Sequence, residues 1–408
     1  MKLPNGWRYI PFSEVADIER GRFSARPRND PKFYGGKIPF LQTGDVSNST
    51  GCITEFTQNL NEDGLAVSKL FSAGTLLMTI AANIGDVAEV LFDFACPDSL
   101  VAITSKAGVD NRWLRQYLIM LRPIIKSLAP QNAQANVNLQ ILKPLKFSVP
   151  PFSEQTAIAE TLSTWDLAIE KTDKLIALKE RRFKALMHEL IDVGARRAVP
   201  AQGWRKVKLG EVGEISSAGV DKKINSGEVP VRLLNYLDAY RRDFIFSNEL
   251  QHQVTAPKSK VEDCSVLKGD VFFTPSSETR DDIAHSAVAM EDMPGVVYSY
   301  HVVRLRLLEE WDLLFRAYAF KSNDFYRQAQ ELADGSGQRY VISQKSFRAI
   351  SIAVPPRKEQ ERIGKILHAA QSEIDLLKKI RAGYQTQKRG LMQKLLTGQW
   401  RVAKELKN

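Results

Sequence analysis

The chain has 408 residues, a length sufficient for two to four domains. Of these residues 44% are hydrophobic and 25% charged, which is typical of a globular protein. Its formal net charge of +10 favours an anionic partner, although a mildly basic protein without nucleic acid fits the charge equally well. No run is apolar enough for a membrane span, and three widely spaced cysteines and scattered histidines argue against disulfides and zinc. We therefore expect a cytoplasmic protein without a bound metal.

The first segment in chain order belongs to an internal repeat. GWRYIPFSEVADI at residues 6–18 returns as GWRKVKLGEVGEI at 203–215, and PPFSEQTAIAETL at 150–162 returns as PPRKEQERIGKIL at 355–367. The two shifts are nearly equal, so the chain consists of two similar halves in tandem. Such halves are expected to relate by an approximate two-fold, and duplex DNA is a common target with that symmetry.

Two globular regions precede the PP segments, and they differ in sequence except at their edges. Short apolar runs between turn residues predict strands in both, from residue 1 to about 150 and from about 200 to 352. Helices are predicted near residues 111–128 and 311–332. The repeated edge segments therefore enclose regions of different sequence in the two halves.

A long helix is predicted over residues 154–192, after Pro150 and Pro151. Apolar residues alternate steps of four and three over more than four heptads, which is the a/d seam of a coiled coil. Ser153 is the expected N-cap, and Gly194 marks the end. The seam consists of Ile158, Leu162, Trp165, Ile169, Thr172, Ile176, Lys179, Phe183, Leu186 and Leu190.

The second half repeats this seam in the same register. It consists of Ile363, Leu367, Ala370, Ile374, Leu377, Arg381, Tyr384, Lys388, Leu391 and Leu395, with Gly364, Gly383 and Gly390 between them. Each glycine weakens a helix by ~1 kcal/mol, so packing against the first helix is expected to hold it. Neither a parallel nor an antiparallel pairing sets two seam cations against each other, so charge does not choose between them.

The C-terminal stub GQWRV at 398–402 echoes GWRKV at 203–207. Each long helix thus leads into a Trp-Arg-apolar segment. The segment after the second helix resembles the N-terminal GWRYI, as if the repeat continued from the C-terminus to the N-terminus. The pattern is circular and predicts that the two termini lie close together.

Known catalytic motifs are incomplete in this chain. There is no P-loop, and VPPF at 149–152 has a valine where an amino-methyltransferase motif needs a polar residue. The DKK tripeptide at 221–223 has no upstream Pro-Asp partner of a nuclease site. We therefore predict no catalytic residue.

Polar loops before each long helix are the candidate DNA-reading segments, because Gln and Asn pair with adenine and Arg with guanine. Plain solvated loops remain the alternative for any single residue. The candidate DNA-binding residues are Gln131, Asn132, Gln134 and Asn136 before the first long helix and Gln338, Arg339 and Tyr340 before the second, with Lys222, Lys223 and Ser276 elsewhere in the second half.

The doubled GWR…EV..I opening and the doubled PP…EQ..I…L junction before a heptad helix resemble the specificity subunits of type I restriction-modification systems. The resemblance spans the chain and implies an α+β fold: two mixed α/β target recognition domains alternate with two long helices that pair as an antiparallel coiled coil. The arrangement would be pseudo-two-fold and circularly repeated. Each domain would read one half of a bipartite site in double-stranded DNA.

The same resemblance implies that the helices set the spacer between half-sites and dock two methylation subunits, with restriction subunits as optional partners. Those partners would bind S-adenosylmethionine, ATP and Mg2+. The chain itself would be non-catalytic, within a complex that acts as an adenine DNA methyltransferase and ATP-dependent endonuclease.

We accordingly predict target recognition domains at residues 1–150 and 198–352, a helical spacer at 151–197, and a second spacer with the C-terminal stub at 353–408. Two alternatives are a self-contained DNA methyltransferase or nuclease and a coiled-coil scaffold without sequence-specific binding. Labelled S-adenosylmethionine would test the first, and competition by unrelated duplex would test the second.

Overall fold

A computed structural model describes residues 3–129, 136–193, 203–337 and 339–402. The chain forms two compact units. Unit 1 comprises Met1–Lys174 and Lys379–Asn408, and unit 2 comprises Leu175–Lys378. Each unit therefore contains the beginning of one long helix and the end of the other. Within the described ranges, no helix is both long and apolar enough to cross a membrane.

Unit 1 is built around a mixed sheet whose five strands, among the described residues, run in the order Ala16–Arg20, Leu100–Ser105, Leu76–Thr79, Val87–Val90, Cys52–Ile53. Only the last pair is parallel. The remaining strands pair two by two: Arg8–Pro11 with Lys146–Val149, Tyr34–Pro39 with Asn59–Leu60, and Leu70–Phe71 with Phe94–Ala95. Shorter helices are Phe12–Val15, Thr43–Ser47, Glu62–Ala66, Asn111–Ser127 and Leu139–Leu142, with a 3-10 turn at Pro31–Phe33.

Unit 2 repeats that sheet with the strand order Gly213–Ser216, Val303–Leu307, Val271–Phe273, Ser286–Ala289, Phe244–Ile245 in the described part of the chain. Arg205–Lys208 pairs with Ser351–Val354, as its counterpart does in unit 1. A further sheet has the order Gln253–Ala256, Val229–Leu234, Met293–Tyr298, Ser265–Val266, and another joins Ser276–Ser277, Arg339–Val341 and Asp334–Ser336. Helices are Leu209–Val212, Tyr236–Tyr240, Lys258–Asp263, Leu313–Ala319, Asn323–Leu332 and Gln344–Ala349, with a 3-10 turn at Ser247–Glu249.

The first predicted helix of the globular regions is confirmed, because Asn111–Ser127 begins after the N-cap Asp110. The helix predicted near 311–332 is wrong as a single element. It is two helices, Leu313–Ala319 and Asn323–Leu332, because the Ser322 side chain accepts a hydrogen bond from the Phe325 backbone nitrogen at 3.0 Å and starts a new helix.

The first long helix spans Phe152–Met187 and continues as a π-helical segment, His188–Val193. It begins earlier than predicted, and Ser153 is not its N-cap. The Pro151 carbonyl accepts from the backbone nitrogens of Glu154 and Gln155 at 2.9 and 3.0 Å, so Ser153 lies within the first turn. The second long helix spans Arg357–Leu396.

All predicted seam positions of both long helices are buried or half-buried, and none is exposed. In unit 1, Ile158 and Leu162 share a hydrophobic core with Met392 and Leu395. The seam therefore does more than pair two helices, because its ends complete the domain core.

The two long helices run antiparallel, as predicted for the fold class. Within unit 1, Lys388 Nζ lies 2.5 Å from Asp166 Oδ1, and Arg381 Nε lies 2.5 Å from Asp173 Oδ1. Residue numbers thus fall along one helix as they rise along the other. Each cation in the seam meets a carboxylate of the opposite helix, which offsets the cost of its partial burial.

Unit 2 contains the equivalent arrangement. Lys179 Nζ lies 2.6 Å from Glu373 Oε1. The later residues of the first helix, such as Leu186, pack against the cluster that holds Ile363 and Leu367 from the beginning of the second helix. The direction of pairing is therefore the same as in unit 1.

The two ends of the chain meet within unit 1, which confirms the prediction from the circular repeat. Arg401 donates to the Asn5 carbonyl at 3.1 Å and forms a two-point ion pair with the buried carboxylate of Glu154 at 2.6 and 2.9 Å. Trp7 Nε1 donates to the same carboxylate at 3.1 Å. The C-terminal stub and the N-terminal segment thus share one anchoring residue.

Candidate nucleic-acid interface

One loop in each unit occupies the same place in the repeated sheet but differs in length. In unit 1 the Thr79 nitrogen donates to the Asp86 carbonyl at 3.0 Å, and in unit 2 the Thr274 nitrogen donates to the His285 carbonyl at 2.9 Å. These bonds close residues 80–85 and residues 275–284, which we call the reading loops. The loop of unit 2 is four residues longer.

The ends of both reading loops adopt the same backbone conformation. Gly85 has φ +85°, and Ala284 has φ +63° at the equivalent position. A non-glycine residue rarely takes this left-handed conformation. Ala284 is fully buried, so the surrounding core holds the loop closure in place.

The polar segment before each long helix pairs with the reading loop of its own unit. In unit 2, Ser276 lies opposite Val341 in a sheet. In unit 1, Ala81 forms a single bridge with Asn136. The equivalent bonds Val137 N to Ile80 O, 3.0 Å, and Ile342 N to Pro275 O, 2.8 Å, fix the register in both units. Two segments distant in sequence are thus brought to one edge of each domain.

A cleft of about 530 Å3 opens beside the reading loop of unit 2. We call it the reading cleft. It combines aromatic, hydroxyl, acidic and basic side chains, which include hydrogen-bond donors and acceptors of the kinds that contact base edges. Its lining residues are Tyr236, Tyr240, Ser276, Ser277, Glu278, Thr279, Asp282 and Arg339.

A hydrogen-bonded carboxylate stands in the reading cleft. Tyr240 Oη donates to Asp282 Oδ2 at 3.0 Å, and His285 Nε2 lies 2.8 Å from Asp282 Oδ1. The hydrogen bond to Asp282 and its negative charge raise the pKa of Tyr240, so the phenol keeps its proton and remains the donor. Tyr236 stacks on Tyr240 with ring centroids 5.7 Å apart, which positions that phenol.

Basic side chains surround the same edge of unit 2. The guanidinium of Arg280 lies 5.1 Å from the ring centroid of Tyr340. Burial lowers the pKa of His301, and the nearby charges of Lys222 and Arg339 lower it further. His301 is therefore largely neutral at pH 7, while Lys222 and Arg339 contribute positive charge to this edge.

The structure brings together some predicted DNA-binding residues. Arg339 and Ser276 line the reading cleft, and Tyr340 is half-buried beside it. Lys223 Nζ lies 3.1 Å from Asp221 Oδ2, so part of the lysine charge is neutralised within its own loop. Gln131, Asn132, Gln134 and Gln338 lie outside the described residues.

The sequence prediction did not include seven residues of this edge, which are Tyr236, Tyr240, Ser277, Glu278, Thr279, Arg280 and Asp282. A usable signal existed in the sequence, because the run Glu278 to Asp282 places opposite charges between two buried strands. The two tyrosines stand four residues apart and thus on one face of a short helix. Their distance along the chain from the loop concealed their common site.

A buried glutamine fastens the domain of unit 1 to the first long helix. Gln155 Oε1 accepts from the Asp110 nitrogen at 2.8 Å, and its Nε2 donates to the Pro150 carbonyl at 2.9 Å. Asp110 caps the helix Asn111–Ser127. Burial alone would raise the pKa of Asp110, but hydrogen bonds from Arg112 and the Trp113 nitrogen outweigh burial and lower it.

Unit 2 has the same fastening 205 residues later. Gln360 Oε1 accepts from the Asp312 nitrogen at 2.8 Å, and its Nε2 donates to the Pro355 carbonyl at 3.0 Å. This contact gives a physical reason for the doubled PP…EQ motif. Each glutamine fixes the orientation of a domain on the helix that follows it.

The described part of the chain contains no group of three or more His, Cys, Asp or Glu side chains able to hold a metal ion. Cys52 is exposed and Cys96 and Cys264 are buried, all as free thiols. Burial raises the pKa of both buried thiols, which makes them poor nucleophiles.

Comparison with known proteins relates the whole chain to one family. Residues 4–180 and 201–383 each match the family model described as the type I restriction modification DNA specificity domain. The type I restriction enzyme StySPI specificity subunit of Salmonella potsdam is 23% identical over 98% of this chain and 91% of its own length. The MjaVIII specificity subunit of Methanocaldococcus jannaschii is 24% identical over 98% of this chain and 95% of its own.

Solved structures share the fold at lower sequence identity. The S subunit of the type I restriction-modification system from M. genitalium has a TM-score of 0.57 and 17% identity, covering 97% of this chain and 98% of that one. A chain from a study of complex assembly and conformational transition of the type I R-M system has a TM-score of 0.59 and 17% identity, covering 98% of this chain and 100% of that one.

Proposed function

The chain belongs to the type I restriction-modification DNA specificity family, with two such domains, and we propose that each domain reads one half of a bipartite site in double-stranded DNA. The observation that carries this proposal is that a reading loop, different in each unit, pairs with the polar segment before each long helix. The five-stranded sheet has the same strand arrangement in both units, whereas the loops that it carries differ. A subunit that reads two different half-sites requires this combination.

The reading cleft and its surroundings suit DNA contact in two ways. Lys222 and Arg280 provide charge for phosphates, which gives salt-dependent and sequence-independent affinity. Arg339 and Ser276 provide donors and acceptors for base edges, which give sequence discrimination. The domains are held on the helices by Gln155 and Gln360, so the reading surfaces are supported by rigid elements.

We further propose that the paired long helices set the spacer between the half-sites and dock two methylation subunits, with restriction subunits as additional partners. Several leucines on the helices face solvent although they lie outside the seam, which supports a partner surface. S-adenosylmethionine, ATP and Mg2+ would bind those partners. This chain would then be the non-catalytic subunit of a cytoplasmic methylating and restricting complex.

Exchange of one domain tests the modular proposal. Replacing residues 1–150 with the first domain of another family member should change one half of the recognised sequence and leave the other unchanged. The recognised sequence is read by selection of bound duplexes from a random pool. A change in both halves would contradict separate reading by the two domains.

A point substitution tests the assignment of the cleft. Arg339→Ala should reduce preference for the recognised second half-site, at about 1–3 kcal/mol for one lost bidentate contact. Arg327→Ala is the matched control, because Arg327 is an exposed arginine of the same unit that pairs with Asp324 and Glu331. If Arg339→Ala lowers affinity for all duplexes equally, the residue contacts phosphate instead.

The two alternatives have separate tests. A self-contained methyltransferase would incorporate label from S-adenosylmethionine into DNA with the purified chain alone, and we expect no incorporation. A scaffold without sequence preference would lose bound DNA equally to any unlabelled duplex, and we expect competition only by duplexes that carry the recognised site.

A further inference from the structure

We propose that the reading cleft of unit 2 recognises a G·C base pair, with Arg339 on the guanine and Asp282 on the cytosine. The inference rests on the proposed DNA-reading function and specifies which base pair this cleft accepts. It follows from a carboxylate held in place by Tyr240 and His285 and from an arginine that forms no ion pair among the described residues. Both belong to one cleft of the described structure.

Asp282 is an unusual group to find on a surface that meets DNA. A carboxylate repels phosphate, so it weakens the sequence-independent part of binding. The side chain is nevertheless 43% exposed and faces the cleft. Direct readout gives it a role, because a carboxylate accepts a hydrogen bond from the amino group of cytosine.

The position of Asp282 is fixed before any ligand binds. Tyr240 Oη lies 3.2 and 3.0 Å from its two oxygens, and His285 Nε2 lies 2.8 Å from Oδ1. An ionised carboxylate has about four acceptor positions. Tyr240 and His285 use part of this capacity and leave the rest for a base. These contacts fix the rotamer of Asp282 before DNA binds, which reduces the conformational entropy lost on binding.

Arg339 complements this acceptor. Among the described residues, no carboxylate oxygen forms an ion pair with Arg339, although Asp282 and Glu278 line the same cleft. Because no described carboxylate engages its guanidinium, Arg339 can direct its donors to the O6 and N7 acceptors of guanine. A G·C pair presents these acceptors beside the cytosine amino donor in the major groove, so one base pair satisfies both side chains.

Adenine fits the same pair of side chains less well. Its amino group could donate to Asp282, but the adjacent N7 acceptor would face the carboxylate oxygens without a proton between them. The thymine partner would then offer Arg339 one carbonyl oxygen and a methyl group, in place of two acceptors. The cleft should therefore discriminate against A·T.

Asp282→Asn tests the proposal, with Asp281→Asn as its control. Asp281 is the exposed neighbour and is outside the lining of the cleft, so the two variants lose the same charge within one loop. The recognised site is first obtained by selecting duplexes bound by the purified full-length chain. Binding of that site, of its single base-pair variants and of an unrelated duplex is then measured by fluorescence anisotropy at fixed salt.

We expect the second half-site to contain a G·C pair at which Asp282→Asn lowers discrimination by about 5- to 150-fold. Affinity for the unrelated duplex should stay equal or rise, because a negative charge is removed. Asp281→Asn should show the second effect without the first. Arg339→Ala should lose discrimination at the same base pair, and Tyr240→Phe should lose part of it because Asp282 is then less well held.

Three results would overturn the inference: a second half-site without a G·C pair, full discrimination in Asp282→Asn, or effects of Asp282 and Arg339 at different base pairs. Thermal unfolding of each variant shows that lost discrimination does not reflect lost folding. If the unaltered chain prefers no duplex at all, the proposed function itself fails, and this outcome is distinct from the other three.

Discussion

Replacing Gly364 with alanine tests how closely the second long helix packs against the domain of unit 2. An alanine Cβ at this position would lie 2.7 Å from Asp312 Oδ1 and 2.8 Å from the Phe315 nitrogen. These two atoms form the 2.9 Å hydrogen bond that caps the helix Leu313–Ala319. The added methyl group must therefore displace backbone or break the cap.

The expected magnitude follows from three opposing effects. Helix propensity alone favours alanine over glycine by about 1 kcal/mol. Overpacking of a tight contact costs about 1–3 kcal/mol, and loss of an N-cap bond costs about 1 kcal/mol. We therefore expect Gly364→Ala to lower the free energy of unfolding by about 1–3 kcal/mol.

Gly383→Ala is the matched control on the same helix. Apart from its chain neighbours and the backbone of its own helix, no atom of the described residues lies within 4 Å of the Cβ that alanine would add there, so only the propensity gain remains. We expect this variant to be more stable by about 0.5–1 kcal/mol. Both are measured by urea unfolding followed by tryptophan fluorescence. A Gly364→Ala protein as stable as Gly383→Ala would refute the steric reasoning.

Three further predictions concern the helices and their junctions. Asp166→Asn should lower the free energy of unfolding in urea by up to about 3 kcal/mol, because Arg115 and Lys388 both form ion pairs with that carboxylate. Asp173→Asn is the control, and because its ion pair with Arg381 is more exposed it should cost less than about 1 kcal/mol. Inserting one heptad into both long helices adds about 10.5 Å to each, and should lengthen the preferred DNA spacer by about 3 base pairs with unchanged half-sites; selection of bound duplexes would show it. The pKa of Asp110 is lowered despite burial, so its ionised form stabilises the fold above about pH 4 and this contribution disappears as pH falls through the folded pKa. Asp110→Asn should therefore be less stable than the unaltered chain at pH 7 and converge with it below pH 4 in urea titrations; a constant difference would contradict the assignment.

The repeat and the heptad seam could be predicted because both are encoded by local spacing. Seam positions 205 residues apart are buried or half-buried in both helices, and periodicity alone predicts such burial. The seam residues alone did not predict the direction of pairing, which only the family resemblance implied, because the carboxylates that decide it lie outside the seam. Asp166 and Asp173 each follow a seam residue and reach the opposing cations only in the antiparallel arrangement.

The reading cleft could not be predicted for a different reason. Tyr240 and Asp282 are 42 residues apart and meet only because the sheet of unit 2 brings their loops together. No periodicity connects them. The division of the region 311–332 into two helices could have been predicted from the sequence, since Ser322 is a good N-cap residue with an acidic residue two positions later. The continuing apolar pattern on both sides concealed it.

The closed base of the reading loops has a consequence for how new specificities arise in evolution. The Thr79 and Thr274 bonds close six residues in one unit and ten in the other, on the same framework. Loop-closure entropy grows only with the logarithm of length, so this extension costs about 0.5 kcal/mol. Insertions at this point leave the strands on either side in register. A lineage can therefore sample recognition sequences by lengthening or exchanging a loop, with almost no loss of folding stability on which selection could act.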